Sequence, residues 1–228
     1  MLRDFAQNWV SEMKKVAVIL SGCGVFDGSE IHEAVSTLLA LDQAGACYQC
    51  FAPNVAQTRV VNHLTQETKN ETRNALEEAA RIARGNIVDI KKANAHDFDA
   101  AIYPGGHGAA LSLCDFGKKG VDMTVNADVL SFAQAMKKAG KPQGFICIAP
   151  AMISTIYGSG IEHTIGNDAA TAEKITTMGG RHIACSVTQT VIDKKNKVVS
   201  TPAYMLATRI GEVFAGVKQL VEDVLAIS

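Results

Sequence analysis

Cys147 ends an apolar run, Gly144-Phe145-Ile146-Cys147, and is followed at once by the helix-compatible segment Ile148-Ala149-Pro150-Ala151-Met152. A strand that breaks sharply into a helix at a nucleophile lifts that side chain above the sheet. A helix N-terminus then lies under the sulfur, and its partial positive charge and free N–H groups favour thiolate and lower the thiol pKa. Such a cysteine can attack an electron-poor carbon or be reversibly oxidised. The plainer alternative is a buried cysteine closing a core strand. Two further places carry chemistry. In Tyr103-Pro104-Gly105-Gly106-His107-Gly108, the paired glycines allow backbone N–H groups to point at an oxyanion, although an ordinary tight turn would use the same residues. The glycine-rich loop 21–29 leads into Glu30-Ile31-His32-Glu33. There Asp27 or Ser29 can cap the following helix. Glu30 and Glu33 share one side of its first turn, so one of them can reach a neighbouring strand end and hold a sulfur in place.

The remaining cysteines read as structural. Cys47 and Cys50 form a C-x-x-C, but in a strand-like run (46–52), where residues three apart point to opposite faces and cannot chelate one ion. No second pair follows at zinc-site spacing, so no metal site is expected. Cys47, Cys50, Cys114 and Cys185 are expected as buried, reduced thiols. The loop 21–29 lacks both the G-x-G-x-x-G spacing and the Lys-Ser/Thr of a phosphate loop, which argues against nucleotide binding.

These residues must be held by a scaffold, and the chain alternates short β-branched runs with helix-period stretches, the signature of a parallel sheet covered by helices. Strands are expected at 16–20, 47–52, 87–90, 100–103 and 144–147, and a hairpin at 187–193 and 197–200. Helices are expected at 29–44, 71–84, 126–139, 149–157, 171–178 and 204–226, the first turning Ile31, Val35, Leu38 and Leu39 toward the core as one stripe. In an open parallel sheet ligands gather at the carboxyl ends of the strands, where all three candidate places fall. The 22 basic and 23 acidic side chains among 228 residues nearly cancel, so no global field favours nucleic acid or an anionic membrane. Apolar stretches fall short of the roughly 20 residues that span a bilayer. Residues 1–14 have no apolar signal-peptide region, and their acids disfavour a mitochondrial presequence, so a cytoplasmic protein is expected. Residues 1–12 read as an N-terminal extension before a single domain at 13–228.

Over about residues 13–228 the chain resembles the ElbB proteins of the DJ-1/PfpI, class I glutamine-amidotransferase-like superfamily. The resemblance rests on S-G-C-G-V-F-D-G-S-E-I-H-E at 21–33, E-T-R-N at 71–74, P-G-G-x-G at 104–108, G-F-I-C-I-A-P-A-M at 144–152, T-I-G at 164–166 and T-P-A-Y-M at 201–205. It implies an α/β fold: a mostly parallel sheet flanked by helices on both faces, the flavodoxin-like three-layer sandwich, with a small β-hairpin. It also implies a link to isoprenoid biosynthesis, a homodimer, and a glyoxalase-type lyase activity. That activity converts the small dicarbonyl glyoxal to glycolate, with no cofactor. By the same resemblance Cys147 is the nucleophile, and Glu33, with Glu30 as fallback, is the acid that touches it. Gly105, Gly106 and Ile148 then supply the oxyanion-binding backbone. The chain departs from the wider pattern in three places. Ile148 stands where PfpI-type members have a histidine, His107 where ElbB relatives more often have phenylalanine, and His163 has no counterpart. The alternative function is a non-enzymatic cysteine redox sensor or regulatory binding protein of the DJ-1 type. A glutaminase is disfavoured by the lack of a downstream His-x-Glu pair.

Overall fold

A computed structural model describes residues 13–228, and the expected extension at 1–12 lies outside them. The strands are β1 (Lys15–Ile19), β2 (Cys47–Ala52), β3 (Val60–Val61), β4 (Thr68–Lys69), β5 (Ile87–Asp89), β6 (Ala100–Tyr103), β7 (Gln143–Ile146), β8 (Glu162–His163), β9 (Arg181–His182), β10 (Val191–Asp193) and β11 (Val198–Thr201). The helices are α1 (Ile31–Gln43), α2 (Ala75–Ile82), α3 (Phe116–Lys119), α4 (Ala127–Lys138), α5 (Ile153–Tyr157), α6 (Ala169–Thr177) and α7 (Ile210–Ala226). Seven strands form the central sheet in the order β10-β11-β7-β6-β1-β2-β5. All neighbours in it are parallel except β10 and β11, which form the expected hairpin, fused to the sheet edge instead of standing apart. Two small pairs that the residue pattern does not announce, β3-β4 and β8-β9, lie outside this sheet.

A parallel sheet buried on both faces needs continuous apolar strands, and β1, β6 and β7 are buried along almost their whole length. One face carries Val16, Val18, Ile102, Ile146 and Val199 against Leu41 of α1 and Val217, Leu220 and Val224 of α7. The other carries Ile19, Phe51, Tyr103, Phe145 and Val198 against Val129, Phe132 and Met136 of α4. The result is the expected three layers.

Several boundaries differ from the sequence expectation. Helix α2 starts at Ala75, not Glu71, because the Asn74 side chain accepts from the Leu76 and Glu77 N–H groups and caps the helix there. The last helix starts at Ile210, and 203–205 is only a single tight turn. Of the four residues expected in the inward stripe of α1, Leu38 packs partly buried against the core and the other three face outward. Ile31, Val35 and Leu39 are 41%, 48% and 44% exposed, while Glu33, Ala34, Thr37 and Leu41 face inward. Small residues at 34, 37 and 40 let α1 lie close to its neighbours, and Glu33 must enter the interior.

The strand carrying Cys147 depends on one close approach. A Cβ on Gly144 would come within 2.8 Å of Leu220 Cδ2 and 3.0 Å of Val224 Cγ2. Gly144→Val should therefore wedge α7 from the sheet and lower stability by about 1–3 kcal/mol. Gly211→Ala, with open space around it in the first turn of α7, should be neutral or slightly stabilising. Urea unfolding of both variants checks the pair, and equal losses would refute this packing argument.

Candidate active site

The elbow forms because β7 ends at Ile146 and the chain turns at Cys147 with φ +62°, a left-handed conformation strained for a residue with a Cβ. Pairing holds it: the Cys147 N–H donates to Thr201 O at 3.0 Å, continuing the β7-β11 ladder past its end. A short tight turn, Ala149–Met152, then runs into α5. The backbone N–H groups of Gly106 and Ile148 act on the sulfur to favour its thiolate, and the neighbouring Glu33 carboxyl acts on it in the opposite sense.

Two glycines of the 104–108 loop are required by close approach. A Cβ on Gly105 would sit 2.4 Å from Cys147 Cβ and 2.7 Å from Glu33 Oε2. Gly106 adopts φ +90°, and a Cβ there would lie 2.3 Å from Glu30 N. The loop thus presses its backbone directly onto the thiol and the start of α1.

The structure separates the two glutamates. Glu33 is fully buried; its Oε2 accepts from Gly105 N–H at 2.9 Å and its Oε1 from Tyr204 N–H at 3.2 Å. Glu30 points away from the sulfur and caps α1, its Oε2 accepting from Glu33 N–H at 2.7 Å, while its own N–H donates to Gly105 O at 3.0 Å. The expected caps, Asp27 and Ser29, are used elsewhere: Asp27 Oδ2 accepts from Val61 N–H and Ser29 Oγ from Ser21 N–H. Both are fixed by the folding of the glycine loop, which leaves the cap to the next residue.

Electrostatics follow from burial. The Glu33 carboxyl is pushed up to about 8, by its removal from water first and by Glu30 second, against the pull of the two N–H donors. The sequence expectation of a lowered thiol pKa does not hold. Cys147 is only 7% exposed, and desolvation followed by the neighbouring carboxyl raises its thiol more than the Gly106 and Ile148 N–H groups lower it. Of the two N–H groups, Gly106 belongs to the glycine loop after β6 and Ile148 to the elbow, which continues into a short tight turn and not a long helix.

The other cysteines are all free thiols. Cys50 and Cys114 are buried, with thiols pushed up to about 12 by desolvation. Cys47 is exposed and Cys185 half-buried, contrary to expectation, because β2 emerges from the core at its N-terminal end and Cys185 lies on a loop. Among the described residues no group of three His, Cys, Asp or Glu side chains is placed to hold a metal ion. His107 faces Arg59 and His163 is buried against Ile161 O, so neither reaches the sulfur. Two contributors escape a residue-by-residue reading. Tyr204 supplies a backbone donor to Glu33, and its hydroxyl is tied to His32 Nδ1 at 2.7 Å, pinning that segment to α1. The preceding Ala203 sits at φ +43°, which aims the amide. The T-P-A-Y-M run at 201–205, whose Pro202 stops β11, marks the segment but not the role of the amide.

No protein-family model matches the chain. It is 42% identical over 224 residues to the human mitochondrial glutamine amidotransferase-like class 1 domain-containing protein 3, covering 94% of this chain and 83% of that one. To the rat mitochondrial ES1 protein homolog it is 41% identical, covering 94% and 84%. The expectation of a cytoplasmic protein is overturned by these mitochondrial relatives. It rested on the acids of residues 1–14, and the charge balance of a short terminal segment does not determine a compartment. The crystal structure of an isoprenoid biosynthesis protein with an amidotransferase-like domain from Ehrlichia chaffeensis superposes with a TM-score of 0.87 at 34% identity, covering 93% of this chain and 99% of that one. Glyoxalase III of Candida albicans, at 15% identity and a TM-score of 0.62 over 94% and 97% of the two chains, shares the fold. With this sheet order, this cysteine elbow and these relatives, the chain belongs to the glutamine amidotransferase-like class 1 domain family, together with the ES1 proteins, and has the fold of the DJ-1/PfpI proteins.

Proposed function

We propose that the chain is a cofactor-independent glyoxalase-type enzyme converting glyoxal to glycolate. The observation that supports this best is the fully buried Glu33 carboxyl, held by the Gly105 and Tyr204 N–H groups and packed with Cys147 against Gly105, where burial raises its proton affinity. The sulfur adds to one aldehyde carbon of glyoxal as its proton passes to the Glu33 carboxylate. The new oxyanion is held by the N–H groups of Gly106 and Ile148, with Gly105 keeping the backbone close. Glu33 passes that proton on to the oxyanion, giving the neutral hemithioacetal. Its restored carboxylate then takes the proton from the hemithioacetal carbon and delivers it to the neighbouring one, while the hydroxyl proton moves to the neighbouring oxygen, giving the glycolyl thioester. Water hydrolyses the thioester, releasing glycolate and the free thiol. Glyoxal and one water balance glycolate and one proton. The link to isoprenoid biosynthesis follows from the ElbB resemblance and the name of the Ehrlichia protein. The second reading, a redox sensor, is favoured by the burial of Cys147, which admits a small oxidant more readily than a large substrate.

Glycolate formation under multiple turnover decides between them. Wild type should produce it catalytically and Cys147→Ser not at all. Consumption of oxidant in a one-to-one ratio without glycolate would refute the enzymatic reading.

Glu33→Gln should reduce turnover by roughly 10² or more. It should also change the dependence of stability on pH. Below the unfolded value of 4.5 both states of the wild type are protonated. Between 4.5 and about 8 the unfolded chain holds fewer protons than the folded one, so wild-type stability falls by up to about 1.4 kcal/mol per pH unit. Glutamine has no such loss. The variant should therefore melt above wild type near pH 8 and lose that advantage near pH 4.5. A pH-independent difference would mean that Glu33 is not a buried, protonated acid.

We propose in addition that two chains pair through α1, whose Ile31, Val35 and Leu39 form an exposed stripe at i, i+4 and i+8 that can pack on its own copy about a two-fold axis. Val35→Glu should convert the dimer to a monomer in sedimentation experiments without loss of fold. A wild type monomeric at high concentration would overturn this.

A further inference from the structure

A cavity of about 230 Å³ is lined by Arg59, His107, Ala110, Leu111 and Gly117. We infer that this cavity is a binding site for a small monocarboxylate, held by Arg59 and His107. The Arg59 Nε donates to Phe26 O at 2.9 Å, and its Nη2 lies 2.7 Å from His107 Nδ1. Nδ1 also lies 3.3 Å from Phe26 O, but its shorter contact is with a guanidinium, which only donates, so Nδ1 is assigned as the acceptor and the ring proton to Nε2. His107 therefore presents a second donor. Burial and the guanidinium hold this imidazole below its ordinary pKa, which keeps it neutral. Among the described residues Arg59 Nη1 has no hydrogen-bond partner, and no carboxylate lies within 4.0 Å of the guanidinium. The site thus offers N–H donors and one positive charge, and the carboxylate that acts on His107, Asp27, is engaged by the Val61 N–H.

Its walls are fixed. Thr58 Oγ1 donates to Leu111 O at 3.0 Å, tying the segment before Arg59 to the turn at Ala109–Leu113, and Phe26 packs its ring 6.1 Å from that of His107. Gly117 leaves space in front of Leu111 that a Cβ would take, at 3.0 Å from Leu111 Cδ2. The volume is below the roughly 300–1,000 Å³ that accommodates drug-sized ligands, which favours a ligand of a few heavy atoms. A single positive charge matches a single negative one. Ala110 and Leu111 offer an apolar wall to a carbon and no partner to the extra oxygens of phosphate. The planar guanidinium suits a carboxylate.

The lining of this cavity includes neither Cys147 nor Glu33, and the test reads binding, not turnover. The full chain is titrated with sodium acetate, sodium glycolate and sodium phosphate, and amide NMR shifts are followed. Acetate and glycolate should saturate and move the resonances of residues 107–117. Arg59→Met and His107→Phe should each weaken binding about tenfold or more, the scale of one lost charge-assisted hydrogen bond. Gly117→Val, which leaves both donors intact and fills the space beside Leu111, should do the same. Cys147→Ser should leave binding unchanged. Melting curves confirm that each variant is folded, and Arg59→Lys should recover part of the loss. The inference is overturned if no carboxylate saturates the protein, if phosphate binds more tightly than acetate, or if Cys147→Ser abolishes a binding that Arg59→Met preserves.

Discussion

One buried carboxyl organises the functional end of this molecule. Glu33 has no counter-ion within bonding distance among the described residues. It is kept in the interior by two backbone N–H groups, from Gly105 and Tyr204, and by the sulfur of Cys147. An ionised group so placed loses its hydration, and holding its proton relieves that penalty. The same penalty makes the group useful, because a carboxyl that titrates near neutrality can both give and take a proton during a reaction. The arrangement therefore trades stability for chemistry at a single side chain.

The donors to that carboxyl come from the ends of strands distant in sequence, which is why the fold must be complete before the site exists. Gly105 follows β6, Cys147 follows β7 and Tyr204 follows β11, and these three strands are neighbours in the sheet. Two strained residues mark the same edge. Cys147 at φ +62° and Ala203 at φ +43° are both left-handed. Strain of this kind persists only where surrounding pairing over-determines it, and the bond from Cys147 N–H to Thr201 O couples the two turns directly. Glu30 completes the circuit. Its side chain caps α1 at the Glu33 amide while its backbone bonds to Gly105, so the helix start and the glycine loop move as one.

The strand that breaks at Cys147 and the paired glycines at 105 and 106 were legible because their signals are local: an apolar run cut short, and residues free to adopt φ > 0. The layer architecture was legible for the same reason, since hydrophobic period reports which face is buried. What was not legible is non-local or a balance of opposed terms. The Tyr204 amide has no side-chain signature, because any residue would present an N–H there. The fusion of β10-β11 to the sheet edge depends on pairing with β7, 50 or so positions away in the chain, which no local pattern encodes. The acidity of Cys147 pits two N–H groups against burial and a neighbouring acid, and the residue names do not reveal which is larger.

The outward turn of Ile31, Val35 and Leu39 on α1 was decidable from the sequence, and the reason connects the site to the surface. Successive helical residues advance by about 100°, so Ile31 and Val35, each two positions from Glu33, lie roughly 200° around the axis from it, and Leu39 about 240°. A helix cannot turn both Glu33 and the stripe Ile31, Val35 and Leu39 into one core. The expectation that Glu33 meets the sulfur and the expectation that the stripe is buried were incompatible. The apolar period won as a statistical signal, yet the structure follows the carboxyl, because Ala34, Thr37 and Leu41 provide enough inward-facing surface to seat the helix. The exposed stripe is thus a geometric consequence of placing an acid beside the nucleophile. Whatever covers that stripe packs on the helix that carries Glu33, and so bears on the position of the proton-carrying group itself.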